Sequence, residues 1–430
     1  MSIGRLRVLI APDSFKGSLS SVDVARALAE GWTRARPEDE LVLAPLADGG
    51  EGTLGAIAES GGWEWRECLA HDPLGRPLTA RWLLSVDGTR AAVELAEASG
   101  LSRLPRDEPR NPVAATTEGT GEILRAVLDA GVRHVMIGVG GSATTDGGAG
   151  LLRGLGARFG GSSGTAAGAG AARTARAGRP TGAAGGRPTG AGSGRPTGAG
   201  SGSVPGALGD VASVDLFGLD PRLAQIELRV ACDVTNPLLG PQGAAAVYGP
   251  QKGAWPEDVA ALEAWLTRYA DLLETASGVR ARDRAGAGAA GGTGFALMCL
   301  TPRLCSFDLI PGVELVMQET RFDEHLAHAD LVITGEGQVD AQTAFGKTAL
   351  GVARRAAAAG VPCLAVGGSV TPEGAAVMVA EGAVAMPVLD RPMTLGEAMN
   401  DVSSLVIAGG ERLARIVAIG GAAAVRSSRS

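Results

Sequence analysis

Short apolar segments that end in glycine-rich loops carrying carboxylates are the feature that most constrains this chain. The predicted strands 6–11, 41–46 and 134–139 each lead directly into such a loop, and each loop opens a segment with helical periodicity. A strand, a glycine-rich turn and a helix N-terminus together present backbone N–H groups to an anion, and Asp or Glu there can hold a cation. Three such loops predict strand ends that converge on a phosphorylated ligand.

Strands and helices alternate along most of the chain, which predicts an α/β fold with largely parallel sheets. Further strands are expected at 228–232, 331–334, 363–366 and 383–388. One exception is Asp87-Gly88, which lies between two apolar runs and is typical of a β-hairpin turn. This break predicts a second domain inserted into the first.

The predicted domain boundaries follow from that break. Residues 1–75 and 290–430 form a discontinuous α/β domain, and residues 76–289 form the inserted α/β domain. Within the insertion, residues 160–206 contain Gly, Ala, Ser, Thr, Pro and Arg with almost nothing to bury, including three Gly-Arg-Pro-Thr-Gly repeats. Such a composition predicts a disordered loop, and its five arginines leave a basic arm for an acidic partner as the alternative.

Composition excludes several classes of protein. The chain of 430 residues is 45% apolar and has a net charge of −7, which argues against a nucleic-acid surface. No apolar run approaches the roughly 20 residues of a membrane span, and the N-terminus lacks a secretory pattern. Five scattered cysteines without a C-x-x-C pair favour a reducing cytoplasm over a disulfide framework or a zinc site.

The first loop contains Asp13, Ser14 and Lys16. Lys16 can neutralise a phosphate as a point charge, although an ordinary surface lysine is the alternative. Asp13 can accept a proton from an attacking hydroxyl or bind a metal, and a turn that approaches a helix is its structural alternative.

The second and third loops carry the richest sets of polar groups. Asp48 and Glu51 lie three residues apart across two glycines, which favours Mg²⁺ or substrate binding over a plain turn. Residues 140–148 offer backbone donors, three hydroxyls and Asp146, a pattern that favours cradling a phosphate or nucleotide. A structural glycine turn is the alternative there.

Two later segments add candidates. Asp233 and Asn236 follow the strand 228–232, and an Asp with an Asn is a common pair of oxygen ligands for Mg²⁺. Lys252 is a second candidate cation, and Glu336 follows the strand 331–334.

Two runs resemble familiar nucleotide-binding motifs but do not qualify as such. Residues 341–348 end like a Walker A loop, but Ala341 replaces its first glycine. A G-x-G-x-x-G run begins at Gly286, but no predicted strand precedes it, so a dinucleotide-binding fold is not supported. No Gly-x-Ser-x-Gly run follows a predicted strand, as a nucleophile elbow would, which disfavours covalent hydrolase chemistry.

Taken together, the loops resemble those of the bacterial glycerate kinase family, the type that forms 2-phosphoglycerate. The matching runs are 11–20, 47–53, 116–122, 137–150, 229–238, 249–254, 286–294 and 333–340. They extend in order over nearly the whole chain. The segment 160–206 departs from the family by its length and repetition, and it leaves the motifs intact.

The resemblance implies ATP-dependent phosphorylation of D-glycerate to 2-phosphoglycerate with Mg²⁺, with the active site in the cleft between two α/β domains. We expect the protein to be a cytoplasmic monomer or homodimer. The roles that we infer within that activity fall into four groups. The catalytic group is Asp13, Lys16 and Asp233. The substrate-binding group is Ser14, Asp48, Glu51, Asn236 and Lys252. The nucleotide-binding group is Gly140, Gly141, Ser142, Thr144, Asp146 and Glu336. The metal ligands are Asp233 and Asp48.

Motif spacing alone supports only an enzyme that handles a phosphoryl group. A kinase for another small hydroxy acid or sugar acid is therefore one alternative. A non-catalytic metabolite sensor on the same fold is another, since fold does not fix function. Carboxylates in several loops favour catalysis, because a sensor needs no metal-ligating acids.

Overall fold

The structure is a computed structural model that describes residues 4–105, 107–161, 211–340 and 348–427. It confirms the α/β class, with two main sheets and helices packed against them. Of the Walker A-like run, residues 341–347 lie outside the described part of the chain. Within that part, no helix combines the length and the apolar character needed to cross a bilayer.

The first sheet contains five parallel strands in the spatial order β13-β12-β11-β1-β2. Their bounds are β1 Arg7–Ile10, β2 Glu40–Leu43, β11 Leu331–Val339, β12 Cys363–Val370 and β13 Ala383–Pro387. Strand β1 is buried on both faces: Leu9 packs into one hydrophobic layer, and Val8 and Ile10 pack into the other. Helices therefore cover both sides of this sheet, as a parallel sheet requires.

The second sheet contains six strands in the spatial order β10-β9-β6-β5-β4-β3. Their bounds are β3 Trp63–His71, β4 Pro77–Ser85, β5 Arg90–Glu94, β6 His134–Gly138, β9 Glu227–Ala231 and β10 Ser306–Ile310. Strands β5, β6, β9 and β10 are parallel, whereas β3, β4 and β5 are antiparallel neighbours. The hairpin predicted around Asp87-Gly88 is thus confirmed as the β4–β5 connection.

The α-helices share the remaining layers. Within the described residues their bounds are α1 Ser21–Ala35, α2 Thr53–Glu59, α3 Ala96–Ser99, α4 Glu118–Asp129, α5 Ala149–Gly154, α6 Ala244–Tyr248, α7 Pro256–Ser277, α8 Ala289–Cys299, α9 Gly312–Glu319, α10 Phe322–Leu326, α11 Thr348–Ala359, α12 Pro372–Ala380, α13 Leu395–Asn400 and α14 Val402–Ser427. Helix α1 begins where the Asp23 N–H donates to the Ser20 hydroxyl (3.1 Å), which satisfies one of the free donors at the helix start.

The two sheets are joined through a shared hydrophobic layer. Trp82 and Val93 of the second sheet face its own helices, and the alternate residues Leu83 and Ala92 pack with the core of the first sheet. Strand alternation produces this division, because successive side chains point to opposite faces. Buried Glu319 adds a polar contact, since it pairs with an arginine from each of two strands of the second sheet.

The strands do not separate at the predicted domain boundaries. Strand β3 lies before residue 75 and strand β10 lies after residue 290, yet both belong to the second sheet. The chain passes from the first sheet to the second between β2 and β3, and it returns to the first sheet between β10 and β11. The division of the chain into two domains stays a prediction.

Strands β7 (Arg158–Gly161) and β8 (Val211–Asp215) form a separate antiparallel pair that flanks the glycine-rich segment. The prediction that residues 160–206 are a disordered loop needs a correction at its start, because Gly160 and Gly161 pair with β8 and belong to a strand. Residues 162–206 lie outside the described residues. Gly161 pairs directly with Val211, so the described residues on either side of this segment are neighbours.

Replacing Ser162–Ser203 with a short Gly-Ser linker is expected to leave the melting temperature nearly unchanged. The paired strands can be bridged by a short linker. Because loop-closure entropy grows slowly with loop length, the change should alter the free energy of unfolding by only tenths of a kcal/mol to about 1 kcal/mol. Calorimetry of the shortened and full-length chains measures the difference. A large fall in melting temperature would show that the segment stabilises the fold.

Candidate active site

Strand ends from both sheets open on one cleft of about 1280 Å³. The carboxyl ends of β1 and β2 contribute from the first sheet, and those of β5, β6 and β9 contribute from the second. Most of the residues predicted for the site line it, namely Asp13, Ser14, Lys16, Asp48, Glu51, Gly140, Gly141, Ser142, Asp233 and Lys252. Crevices at the carboxyl ends of parallel strands are the usual ligand sites of α/β folds.

Asp13 lies at the end of β1 and is only 8% exposed. Its Oδ1 accepts from the Ser14 N–H (2.6 Å), and its Oδ2 accepts from the Thr348 hydroxyl (2.6 Å). Burial and the nearby Asp48 charge raise the pKa of Asp13, and the two hydrogen bonds only partly oppose them. A carboxylate held in this way is a stronger base than an exposed one.

Lys16 pairs with Asp48 across the mouth of the cleft, with 2.8 Å between Nζ and Oδ2. The Lys16 side chain is 76% exposed, so it remains free to reorient toward a ligand. Partial desolvation lowers the pKa of Lys16, but the carboxylates of Asp48, Asp13 and Glu336 outweigh it and raise that pKa overall. Lys16 is therefore fully protonated at neutral pH.

Asp233 follows β9, and its Oδ1 accepts from the N–H of Gly312 at the start of α9 (2.7 Å). The pKa of Asp233 is raised to about 6. Desolvation is the largest cause, the charges of Asp48 and Asp13 add to it, and the hydrogen bond from Gly312 opposes it. This coupling shows that carboxylates from the two sheets share one electrostatic environment.

The carboxylates suit a hard cation by their chemistry. Among the described residues, no group of three or more His, Cys, Asp or Glu side chains is arranged to hold a metal by itself. Mg²⁺ usually takes one or two protein carboxylates and completes its shell with water and substrate phosphates. Asp233 and Asp48 fit that partial role, because each lines the cleft as an oxygen donor.

The glycine-rich loop after β6 lies directly against the loop after β2. The Gly140 N–H donates to the Gly49 carbonyl (3.1 Å), and a Cβ on Gly140 would come within 2.5 Å of the Gly50 Cα. This close approach of two backbones is possible only without side chains. It fixes the position of Asp48 and Glu51 relative to the second sheet.

Lys252 lies beneath this loop and is 3% exposed. Its Nζ donates to the Ser142 hydroxyl (2.8 Å) and to the Thr144 carbonyl (2.6 Å). Burial lowers the pKa of Lys252 to about 7, and the Asp146 charge only partly opposes it. These two hydrogen bonds tie Lys252 to the loop and hold the loop in shape.

The remaining predicted residues lie outside the cleft lining. Asp146 is buried and accepts from Thr117 N–H (2.8 Å) and Gly150 N–H (3.1 Å), so its carboxylate organises the turn into α5. Asn236 donates to the Gln242 carbonyl and accepts from the Tyr248 hydroxyl, so both ends of its side-chain amide are already engaged. Thr144 contributes its carbonyl to Lys252, and Glu336 is buried within reach of the Lys16 charge.

One wall of the cleft was missed at the sequence level. It is formed by Trp65, Arg81, Glu94, Glu97 and Arg103. The available signal was the acidic pair that follows the apolar residues 91–93, which resembles the strand-end acids of the other loops. The strand β3, which supplies Trp65, was not recognised because charged residues alternate along it.

Glu94 links the two sheets at the back of the cleft. It is 4% exposed, and its Oε1 accepts from the N–H of Leu54 (2.5 Å), in the first turn of α2. The pKa of Glu94 is raised to about 7. Burial is the largest cause and the charges of Glu97 and Glu51 add to it, whereas hydrogen bonds from the Leu54 and Gly52 N–H groups oppose it.

The free energy of unfolding of the wild type is expected to fall, relative to that of Glu94→Gln, by up to about 3 kcal/mol between about pH 4.5 and pH 7.5. The folded-state pKa of Glu94 lies above its unfolded value, so its contribution is complete below the unfolded pKa and is lost as the pH rises through about 7. Urea titrations over this range measure the difference, with exposed Glu67→Gln as the control. If the free energies of unfolding of the wild type and Glu94→Gln changed in parallel with pH, the raised pKa of Glu94 would be contradicted.

Comparison with known proteins gives one consistent result. The model of the glycerate kinase family matches residues 8–184 and 189–418. A glycerate kinase of Bacillus subtilis is 41% identical over 86% of this chain and 87% of its own length. A glycerate 2-kinase of Escherichia coli is 37% identical over 96% of this chain and 99% of its own. A crystal structure assigned as glycerate kinase 2 from Salmonella typhimurium is 39% identical, covers 97% of this chain and 99% of its own, and superposes with a TM-score of 0.75.

Proposed function

The chain belongs to the glycerate kinase family, and we propose that it transfers the γ-phosphate of ATP to the 2-hydroxyl of D-glycerate. The observation that carries the proposal is the convergence of Asp13, Lys16, Asp48 and Asp233 on one cleft beside the glycine-rich loop. Phosphoryl transfer depends mostly on positioning and charge neutralisation, and this set of groups supplies both.

Asp13 acts as the base in this proposal. The pKa of Asp13 is raised toward neutral pH, where a general base works best. Its hydrogen bonds from Ser14 and Thr348 fix the orientation of the carboxylate. Asp13 would receive the proton of the glycerate hydroxyl as the oxygen attacks the phosphorus.

Lys16 and the glycine-rich loop would hold the phosphates. Lys16 can leave Asp48 and place its ammonium beside the transferring group, because its side chain is exposed. Gly140, Gly141 and Ser142 line the cleft next to Lys252. The Gly140 N–H is taken by the Gly49 carbonyl, so nucleotide phosphates would accept from the Gly141 N–H and the Ser142 hydroxyl.

Asp233 and Asp48 would hold Mg²⁺ together with the phosphates, and the ion would supply neutralisation of the negative charge that develops on the γ-phosphate. No step depends on a fully protein-built metal site. The two carboxylates come from different sheets, so holding one ion between them would also fix the width of the cleft.

Lys16→Ala is expected to reduce kcat on the order of 10²-fold, because it removes a charge that stabilises the transferring phosphoryl group. The melting temperature should change little, since an exposed ion pair contributes about 0–1 kcal/mol. Arg26→Ala removes a comparable exposed ion pair, with Glu59, and serves as the matched control. A folded Lys16→Ala variant with a near-normal rate would identify Lys16 as a surface residue.

A coupled assay of ATP consumption over a panel of hydroxy acids tests the proposed function. We expect D-glycerate to give the highest kcat/KM, above tartronate and the sugar acids. A higher value for another acid would change the substrate and keep the reaction. No ATP consumption with any acid, together with measurable binding of one of them, would favour a sensor.

A further inference from the structure

The cleft wall built by the second sheet contains two arginines that share one buried carboxylate. Glu97, whose side chain is 8% exposed, accepts from Arg103 Nη2 (2.6 Å) and from Arg81 Nη2 (3.2 Å). The Arg81 backbone N–H also donates to Glu97 (3.1 Å). The two arginine side chains remain 52% and 31% exposed, so each has N–H groups that are not used by Glu97.

Both guanidinium groups are held in fixed orientations. The Arg81 guanidinium carbon lies 4.7 Å from the centre of the Trp65 ring, a stacking contact that arginine favours. The Arg103 Nε approaches the Ala96 carbonyl (3.4 Å) while its Nη2 is held by Glu97. A planar guanidinium fixed in this way can bind two oxygens of a carboxylate or phosphate at once.

The position of this pair in the cleft is set by backbone contacts. The Leu101 N–H donates to the Gly141 carbonyl (2.9 Å), and Gly100 forms a bridge with Ser142. The turn that carries Arg103 is therefore joined to the glycine-rich loop. Arg81 lies in β4 of the second sheet and Arg103 lies in the turn after α3, whereas Asp13 and Asp48 follow strands of the first sheet.

Charge balance identifies what the pair is suited to bind. One carboxylate faces two guanidinium groups, so the cluster has a net charge of +1 even when Glu97 is ionised. Lys16, by contrast, is matched by Asp48, and Lys252 is enclosed by Ser142 and Thr144. Among the described residues that line the cleft, Arg81 and Arg103 are the arginines, and an arginine stays charged at any pH of interest.

We propose that Arg81 and Arg103, held by Glu97 and Trp65, form an oxyanion subsite that binds a carboxylate or phosphate group of the reactants. The inference rests on the proposed function and deepens it. Two ligand groups share this chemistry, the carboxylate of the hydroxy acid and the terminal phosphates of the nucleotide. The subsite would hold one of them beside the glycine-rich loop that follows β6.

Isothermal titration of the full chain with D-glycerate, and separately with ADP, tests the subsite and distinguishes its two possible ligands. We expect Arg103→Gln and Arg81→Gln to weaken the binding of one of these ligands on the order of 10- to 100-fold, because each variant loses a charge-assisted hydrogen bond to that ligand. The affinity of Arg103→Lys should lie between those of the wild type and Arg103→Gln, because lysine keeps the positive charge and lacks the planar guanidinium group. Loss of D-glycerate binding alone assigns the carboxylate, and loss of ADP binding alone assigns the phosphates.

Arg66→Gln is the matched control. Arg66 adjoins Trp65 on the same strand, its side chain is 46% exposed and it pairs with Glu64 (2.7 Å), but it does not line the cleft. Affinities within twofold of wild type for both ligands in folded Arg81→Gln and Arg103→Gln variants would overturn the subsite. So would an equal loss of affinity in Arg66→Gln. Failure of the proposed function is a separate result, since it would appear as no phosphorylation of glycerate by the wild type.

Discussion

Asp13→Asn is expected to lower kcat about 10³-fold and to leave the protein folded. The variant loses the only group that we assign as the base for the glycerate hydroxyl. It can keep the local hydrogen bonds, because the amide oxygen can accept from the Ser14 N–H and the amide nitrogen can donate to Thr348 Oγ1. Since burial and Asp48 disfavour the Asp13 charge, the neutral amide should leave the melting temperature equal to or above that of the wild type at neutral pH.

Steady-state kinetics with D-glycerate and ATP, together with calorimetry of the same samples, measure this combination. Asp23→Asn is the control, since Asp23 is exposed in the first turn of α1 and its carboxylate accepts from the Ser20 hydroxyl (2.6 Å). We expect Asp23→Asn to retain nearly full turnover. An Asp13→Asn enzyme within tenfold of the wild-type kcat would remove Asp13 from the reaction.

Gly312→Ala is expected to cost about 3 kcal/mol of stability and most of the activity. A Cβ on Gly312 would lie 2.1 Å from the Asp48 carbonyl oxygen and 2.8 Å from the Gly49 nitrogen, and these backbone atoms cannot rotate away. The Gly312 N–H also donates to Asp233 (2.7 Å), so the same displacement would disturb two of the carboxylates of the cleft.

The control for this substitution is Gly396→Ala. Gly396 lies in helix α13, and a Cβ there would meet no atom within 4 Å. Alanine is the better helix former by about 1 kcal/mol, so this variant should be neutral or slightly stabilised. Urea unfolding of both variants tests the expectation. Equal stability of Gly312→Ala and wild type would mean that the close approach of α9 to the Asp48 loop does not constrain the site.

Patterns of neighbouring residues in the sequence predicted much of the fold and part of the candidate site. The strands that end in glycine-rich loops could be predicted because apolar runs, turns and helix starts are encoded within a few neighbouring residues. Parallel strands then bring their carboxyl ends together, which places Asp13, Asp48 and Asp233 at one cleft.

The other features depend on contacts between distant segments. Gly312 matters because its backbone touches the Asp48 loop, and nothing around Gly312 in the sequence indicates that neighbour. Asp146 looked like a nucleotide ligand because glycines and hydroxyls surround it, yet its oxygens are taken up by Thr117, Gly148 and Gly150. Local sequence gives the residue types that can bind a ligand, and tertiary packing decides which of them remain available.

The phosphorus NMR spectrum of the product tests the central claim most directly. The purified chain would be incubated with D-glycerate, ATP and Mg²⁺, and the ester resonance recorded without proton decoupling. Transfer to the 2-hydroxyl places the phosphate on a carbon with a single hydrogen, so the account predicts a doublet. A triplet would show transfer to the terminal CH₂ hydroxyl, and the absence of any ester resonance while ATP persists would contradict glycerate phosphorylation itself.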